Sequence, residues 1–188
     1  MKFLALTAAL AALLASVASA ATPHKPMIAQ NSIAGIHLGM TKAQSLARLG
    51  TGTTTRQGTY DNPGQPGDWT AIVSDKRKVA VYFVTGADEA VMVTTWNRAY
   101  KTAAGAGPCL PIPRLKKLYR STIKPNPHNT IDGKVYAYAV GKNLIFAADG
   151  RPPNPSPDVT AVGLYRGDGG DEAFGFAGFV TDSEPDCG

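Results

Sequence analysis

The chain has 188 residues, 44% hydrophobic and 18% charged, with 19 Lys and Arg against 14 Asp and Glu and a formal net charge of +5. That apolar content excludes a disordered chain, and the length allows one domain or two small units sharing a core. Two cysteines exclude a disulfide-dense scaffold and leave a single intrachain pairing.

The N-terminus reads MKFLALTAALAALLASVASA. Lys2 supplies a positive start, and Phe3 to Val17 is apolar but short for a bilayer span. Ala18-Ser19-Ala20 is an A-x-A cleavage signal, so residues 1–20 are predicted to be a signal peptide cut after Ala20. The alternative is a retained anchor. No cysteine follows the cleavage site, so no lipid anchor is expected there. The product is expected to be exported, periplasmic or secreted, and not membrane-spanning. In that compartment a Cys109–Cys187 disulfide is the default.

Residues 21–31 read as a polar, flexible lead-in. Ser32 to Leu38 is a short apolar segment, and Gly39-Met40 turns the chain. Thr41 with Gln44 makes a T-x-x-Q capping box, predicting a helix whose apolar face is Ala43, Leu46, Ala47 and Leu49. Gly50 suits the position just past its end. Three strand-like runs follow, DWTAIV, VAVYFV and AVMVTTW, separated by SDKRK and TGADE, with a further strand possible at Thr53 to Thr59.

The order then recurs. AGAGPCLPIPRLKKLYR, from Ala104, echoes AGIHLGMTKAQSLARLG, from Ala34. Ala104-Gly105 lies 70 residues after Ala34-Gly35, whereas the apolar positions Ile112, Leu115 and Leu118 match Ala43, Leu46 and Leu49 at 69. KVYAYAV, LIFAAD and VTAVGLY form a second meander, with the long GRPPNPSP as a connection, and AFGFAGFV is a candidate edge strand. The predicted fold is α+β: two tandem helix-plus-antiparallel-meander repeats, 32–102 and 103–170, forming a curved sheet with short helices on one side. Residues 171–188 are a C-terminal strand and disulfide-tethered tail.

GIHLGMTKAQSLARLG resembles the helix-start motif of the SmpA/OmlA-like and β-lactamase-inhibitory-protein-like group, in which G-M-[ST], a short helix and L-G precede an antiparallel sheet. A tandem copy at this spacing is most similar to the inhibitory-protein branch. The resemblance implies a protein-binding module rather than an enzyme. The second copy reads GPCLP where the motif has G-M-[ST], and the anchoring cysteine of the SmpA/OmlA-like lipoproteins is missing, so no binding residue is transferred.

Catalytic chemistry is sparse. His24, His37 and His128 have no metal-ligand spacing to one another or to a cysteine. No nucleophile elbow, zincin helix or phosphate loop is present. Asp168, Asp171 and Glu172 in YRGDGGDEAFG could start a calcium site but leave its shell incomplete, and Arg166-Gly167-Asp168 forms an adhesion-type tripeptide. No cofactor, catalytic residue or metal ligand is assigned.

Surfaces say more. With five-residue hairpin loops, Trp69, Ala71, Val73, Val79, Val81, Phe83, Val91 and Val93 share a core face, and Ile72, Tyr82, Met92, Thr94 and Trp96 share the other. Tyr82, Met92 and Trp96, extended by Tyr136 and Tyr138, are the candidate binding residues for a protein partner, because Tyr, Trp and Met favour interfaces. Alternatively, AFGFAGFV or the proline loop covers that face. Charge divides the chain: residues 21–148 hold 16 Lys and Arg against 6 Asp and Glu, and residues 149–188 hold 2 against 8. Either the acidic tail folds back on a basic body, or a basic face meets anionic envelope material or an acidic partner. In the second case Arg114, Lys116, Lys117 and Arg120 are the contacting cations of an envelope-associated structural protein. A hydrolase without a recognised motif is the third reading. Nucleic acid is not expected, and oligomeric state is open.

Overall fold

The computed structural model describes residues 27–62, 65–84, 86–120, 123–130, 133–149, 158–166 and 187. The predicted signal peptide, His24, the GRPPNPSP loop, the Asp168/Asp171/Glu172 cluster and the AFGFAGFV run lie outside the described residues. No helix among the described residues is long and apolar enough to cross a membrane.

Three two-residue strands come first: β1 (Ile28–Ala29), β2 (Ser32–Ile33) and β3 (Ile36–His37), hydrogen-bonded in that order. β1 begins inside the segment read as lead-in. Helix α1 (Lys42–Leu49) and strands β4 (Thr54–Asn62), β5 (Gln65–Ser74), β6 (Val79–Val84) and β7 (Ala90–Thr95) follow. Helix α2 (Ile112–Leu118) then precedes β8 (Ile123–Thr130), β9 (Gly133–Val140), β10 (Leu144–Asp149) and β11 (Ala161–Tyr165). The last eight strands form one antiparallel sheet in the order β4-β5-β6-β7-β11-β10-β9-β8. The fold is therefore α+β, with two antiparallel sheets and two short helices among the described residues.

Each helix is thus followed by four strands rather than three. β4 covers the optional strand at Thr53 to Thr59. β8 covers KPNPHN, read from sequence as a loop because of Pro125 and Pro127. Its place at the sheet edge removes the conflict. Pro125 and Pro127 face Tyr138 and Tyr136 in the ladder, and a proline nitrogen is tolerated there only when it points away from the neighbouring strand.

The two halves are clamped alike. Gly39 N–H donates to Ala90 C=O at 2.8 Å and Ala90 N–H to Met40 C=O at 2.7 Å. Cys109 N–H donates to Val159 C=O at 2.8 Å and Val159 N–H to Leu110 C=O at 2.9 Å. Both clamps tie the residues before a helix to those at the start of a fourth strand. Isolated bridges repeat the relation, Thr41 with Glu89 and Pro111 with Asp158. Cys109 even takes the left-handed backbone of Gly39, with φ of 63° against 81°.

Both helices pack on the same face of the large sheet. Leu49 of α1 and Leu115 of α2 share one cluster with Ile72, Val81, Phe83, Val93, Phe146 and Leu164. Ile28, Ile33 and Ile36 of the small sheet join it, over β7 and β11. The helix faces differ from the sequence reading. Ser45 and Leu49 are the buried positions of α1, while Ala43, Leu46 and Ala47 are exposed. In α2 Leu115 is buried and Leu118 is exposed. With four apolar residues spread round two turns of α1, apolarity alone could not select the buried pair.

The opposite sheet face holds a second buried cluster of Ala71, Val73, Ala80, Tyr82, Met92, Ala137, Ile145, Ala147, Ala161 and Tyr165. Here too the β5 assignment is corrected. Ala71 pairs with Tyr82, Ile72 with Val81, and Ser74 with Val79. Ser74 belongs to the strand, so the turn is Asp75 to Lys78, one residue shorter than read, with Lys78 at φ 55°. A one-residue change of register exchanges faces: Trp69, Ala71 and Val73 join Tyr82, and Ile72 joins the helix side. Val91 also changes side, because a bulge opposite Tyr82 and Phe83 inserts it between the pairs Tyr82–Met92 and Phe83–Ala90.

Candidate functional site

The helix layer begins from two cationic sequences, KAQSLARL and IPRLKKL, neither containing an acidic residue. In α1 the capping box forms: Thr41 Oγ1 accepts from Gln44 N–H at 3.2 Å, and Gln44 Oε1 accepts from Thr41 N–H at 3.0 Å. The Asp88 carboxylate accepts from Lys42 N–H at 3.4 Å, placing negative charge at the positive helix end. At the other end the Arg77 guanidinium donates to the Arg48 carbonyl, an acceptor that the helix leaves open, and also to the Ala34 carbonyl beside the small sheet. Arg77 is in turn held by Asn97, whose Nδ2 donates to its carbonyl at 3.0 Å. α2 starts with Pro111 at the N-cap and a proline in its first turn, where a missing N–H costs no helix bond.

These contacts sort the cations. Arg77 is committed to α1. Lys42 Nζ lies 5.7 Å from the Phe83 ring centroid and Lys116 Nζ 5.6 Å from that of Tyr138, both within cation–π range. Lys101 Nζ donates to Pro108 C=O at 2.6 Å, and burial lowers its pKa from the ordinary lysine value. Arg166 pairs with Glu89. Arg56, Lys76, Arg98 and Lys142 are exposed on a strand and in turns; on the helices and just past α2, Arg48, Arg114, Lys117 and Arg120 remain. All four side chains are exposed, and none makes an ion pair among the described residues. α1 lies over β5 and β6. α2 lies over β9 and β10 through Lys116–Tyr138 and the Tyr119–Phe146 ring contact, at 5.7 Å. Those strand pairs are four places apart in the sheet, so the helices stand about 20 Å apart.

The aromatic candidates are placed differently. Tyr82, Met92 and Trp96 do share a face. Tyr136 and Tyr138 lie on the helix side and do not extend it. Tyr82 and Met92 are only 7% and 3% exposed, and Tyr138 6%. Trp96 and Tyr136 are half-buried. Trp69 packs on Tyr82 with centroids 5.7 Å apart. Burial raises the Tyr138 hydroxyl above its ordinary pKa, and Tyr136 adds to the effect.

Among the described residues no three His, Cys, Asp or Glu side chains converge on a metal position. His37 is exposed, its Nδ1 3.1 Å from the Asn31 carbonyl. Cys109 and Cys187 are joined, with Cα atoms 5.3 Å apart and a sequence separation of 78. Sequence reasoning found the cations of α2 but did not join Arg48 of α1 to them. The signal was present: neither helix carries an acidic residue.

No family model matches this sequence, and no curated protein matches it. Among solved structures, the chain is similar to the uncharacterized protein yfeY from Escherichia coli, with 10% identity and a TM-score of 0.48 over 73% of this chain and 97% of that one.

Proposed function

We propose that the protein is an exported, non-enzymatic binding module whose working surface is the helix layer, which holds anionic envelope material. The observation that carries this reading is the set of exposed cations Arg48, Arg114 and Lys117 on two acid-free helices over one sheet face, with Arg120 just past the end of α2, none of them ion-paired among the described residues. Their charge attracts polyanions by Coulomb forces that salt screens. The protein-partner reading through Tyr82, Met92 and Trp96 loses support, because two of the three are buried and Tyr136 and Tyr138 face the other way.

The module is read as a tandem repeat. The matching clamps at Gly39/Ala90 and Cys109/Val159 support this, as does the recurrence of one helix and four strands. Their spacing of 69 to 70 residues matches the sequence echo at Ala104. The resemblance of GIHLGMTKAQSLARLG to the inhibitory-protein-like group supports a binding role over an enzymatic one. The test is retention on immobilised dextran sulfate at low salt. The R114Q/K117Q/R120Q variant should elute at clearly lower salt than the wild type. Equal elution of the two would remove the reading.

A further inference from the structure

The large hydrophobic side chains exposed among the described residues are Leu46, Val84 and Leu118, at 42%, 39% and 39%. Two of the three stand on the two cationic helices, one on each. Each leucine lies four residues after a cation, Leu46 after Lys42 and Leu118 after Arg114, so each pair is adjacent on its helix surface. Arg48, Lys117 and Arg120 complete the surroundings. Neither leucine belongs to the core cluster that Leu49 and Leu115 enter.

A dissolved polyanion offers cations their counter-charge but offers a leucine no apolar phase. An anionic bilayer offers both, headgroup charge and the acyl boundary beneath it. We propose that the helix layer docks on an anionic lipid surface, with Leu46 and Leu118 entering the interface and the neighbouring cations meeting headgroup phosphates. The inference rests on the basic-layer reading above and names its partner. Two contact points about 20 Å apart lay the line between the helices along the membrane surface, with the helix side of the sheet towards it. Each cation at such a surface strengthens binding about fivefold. Completing the burial of each leucine contributes about fivefold as well.

The experiment measures sedimentation of the full chain with phosphatidylglycerol–phosphatidylcholine vesicles, with pure phosphatidylcholine vesicles as control. Dextran sulfate retention is measured in parallel. The wild type should bind the anionic vesicles and not the neutral ones. L46S/L118S should lose about tenfold or more on anionic vesicles while keeping wild-type retention on dextran sulfate. R114Q/K117Q/R120Q should lose both. If L46S/L118S binds vesicles like the wild type, or if the wild type binds dextran sulfate and no vesicle, the lipid assignment is overturned and the basic-layer reading survives. If the wild type binds neither, both fall. The substituted side chains are exposed, and an unchanged circular dichroism spectrum separates lost binding from lost fold.

Discussion

Gly58 pairs with Trp69 across β4 and β5, and the indole lies over the glycine. A Cβ at this position would overlap the ring, 2.9 Å from Nε1 and closer still to two carbons. In Gly58→Ala the indole must therefore move. Overpacking of this kind costs about 1–3 kcal/mol. Moving the ring also weakens its tilted contact with Tyr82, worth about 0.5–1.5 kcal/mol. Against this, replacing glycine in a strand returns about 0.5–1 kcal/mol of backbone entropy. The net loss should be about 2 kcal/mol, read as a lower urea midpoint with the slope unchanged. Trp69→Leu supplies the control, because leucine does not reach the glycine. In that background Gly58→Ala should be neutral or slightly stabilising, giving a coupling of about 2 kcal/mol in a double-mutant cycle. Equal cost in both backgrounds would refute the assignment of the clash to the indole.

Ser45 is fully buried and its hydroxyl has no hydrogen-bond partner among the described residues. Ser45→Ala removes an unsatisfied group and improves helix propensity, so thermal or urea unfolding should show a gain of about 1 kcal/mol. Thr41→Ala removes the side-chain acceptor for Gln44 N–H, one half of the capping box, and should lose about 1 kcal/mol in the same assay. Reducing Cys109–Cys187, which spans 78 residues, should lower stability by about 4 kcal/mol, read as a lower urea midpoint with reductant than without. At alkaline pH, Tyr138 holds its proton to higher pH in the folded chain than in the unfolded one. Its contribution is complete below about pH 10 and is lost as pH rises through the folded value. Lys101 acts oppositely and at lower pH: its pKa is lowered from 10.5 in the folded chain, so its deprotonation adds stability as pH rises from the folded value towards 10.5. Tyr138→Phe should therefore flatten the alkaline fall in stability, and an unchanged slope would contradict the assignment.

Much of the fold was legible because local signals were strong. Thr41 and Gln44 predict a capping box, and both of its bonds form. The strand runs of β5, β6, β7, β9, β10 and β11 all appear, because β-branched and aromatic residues fit a pleated half-buried surface. The errors of sheet face share one cause: positions that depend on a single residue of register. Counting Ser74 as loop shifted Trp69, Ala71 and Val73 to the wrong face, and a bulge moved Val91. No composition rule shows a bulge. Pro125 and Pro127 hid β8 because sequence does not tell an edge strand from a loop. At the candidate site the α2 cations were visible from charge alone. Exposure of Leu46 and Leu118 was not, since an apolar residue on a short helix reads as core until the packing partner is known. Likewise the aromatic residues Tyr82 and Met92 mark a face, but whether that face is open depends on what the rest of the chain places over it.

The account stands on four exposed cations, Arg48, Arg114, Lys117 and Arg120, that make no ion pair among the described residues. Binding to dextran sulfate, followed as a function of salt for the wild type and for R114Q/K117Q/R120Q, tests three of them together. The wild-type affinity should fall steadily on a logarithmic salt axis, because each neutralised charge releases a counter-ion. The variant should start weaker and fall with a clearly shallower slope. Two parallel lines, or a wild type that ignores salt, would contradict the assignment of binding to the helix layer.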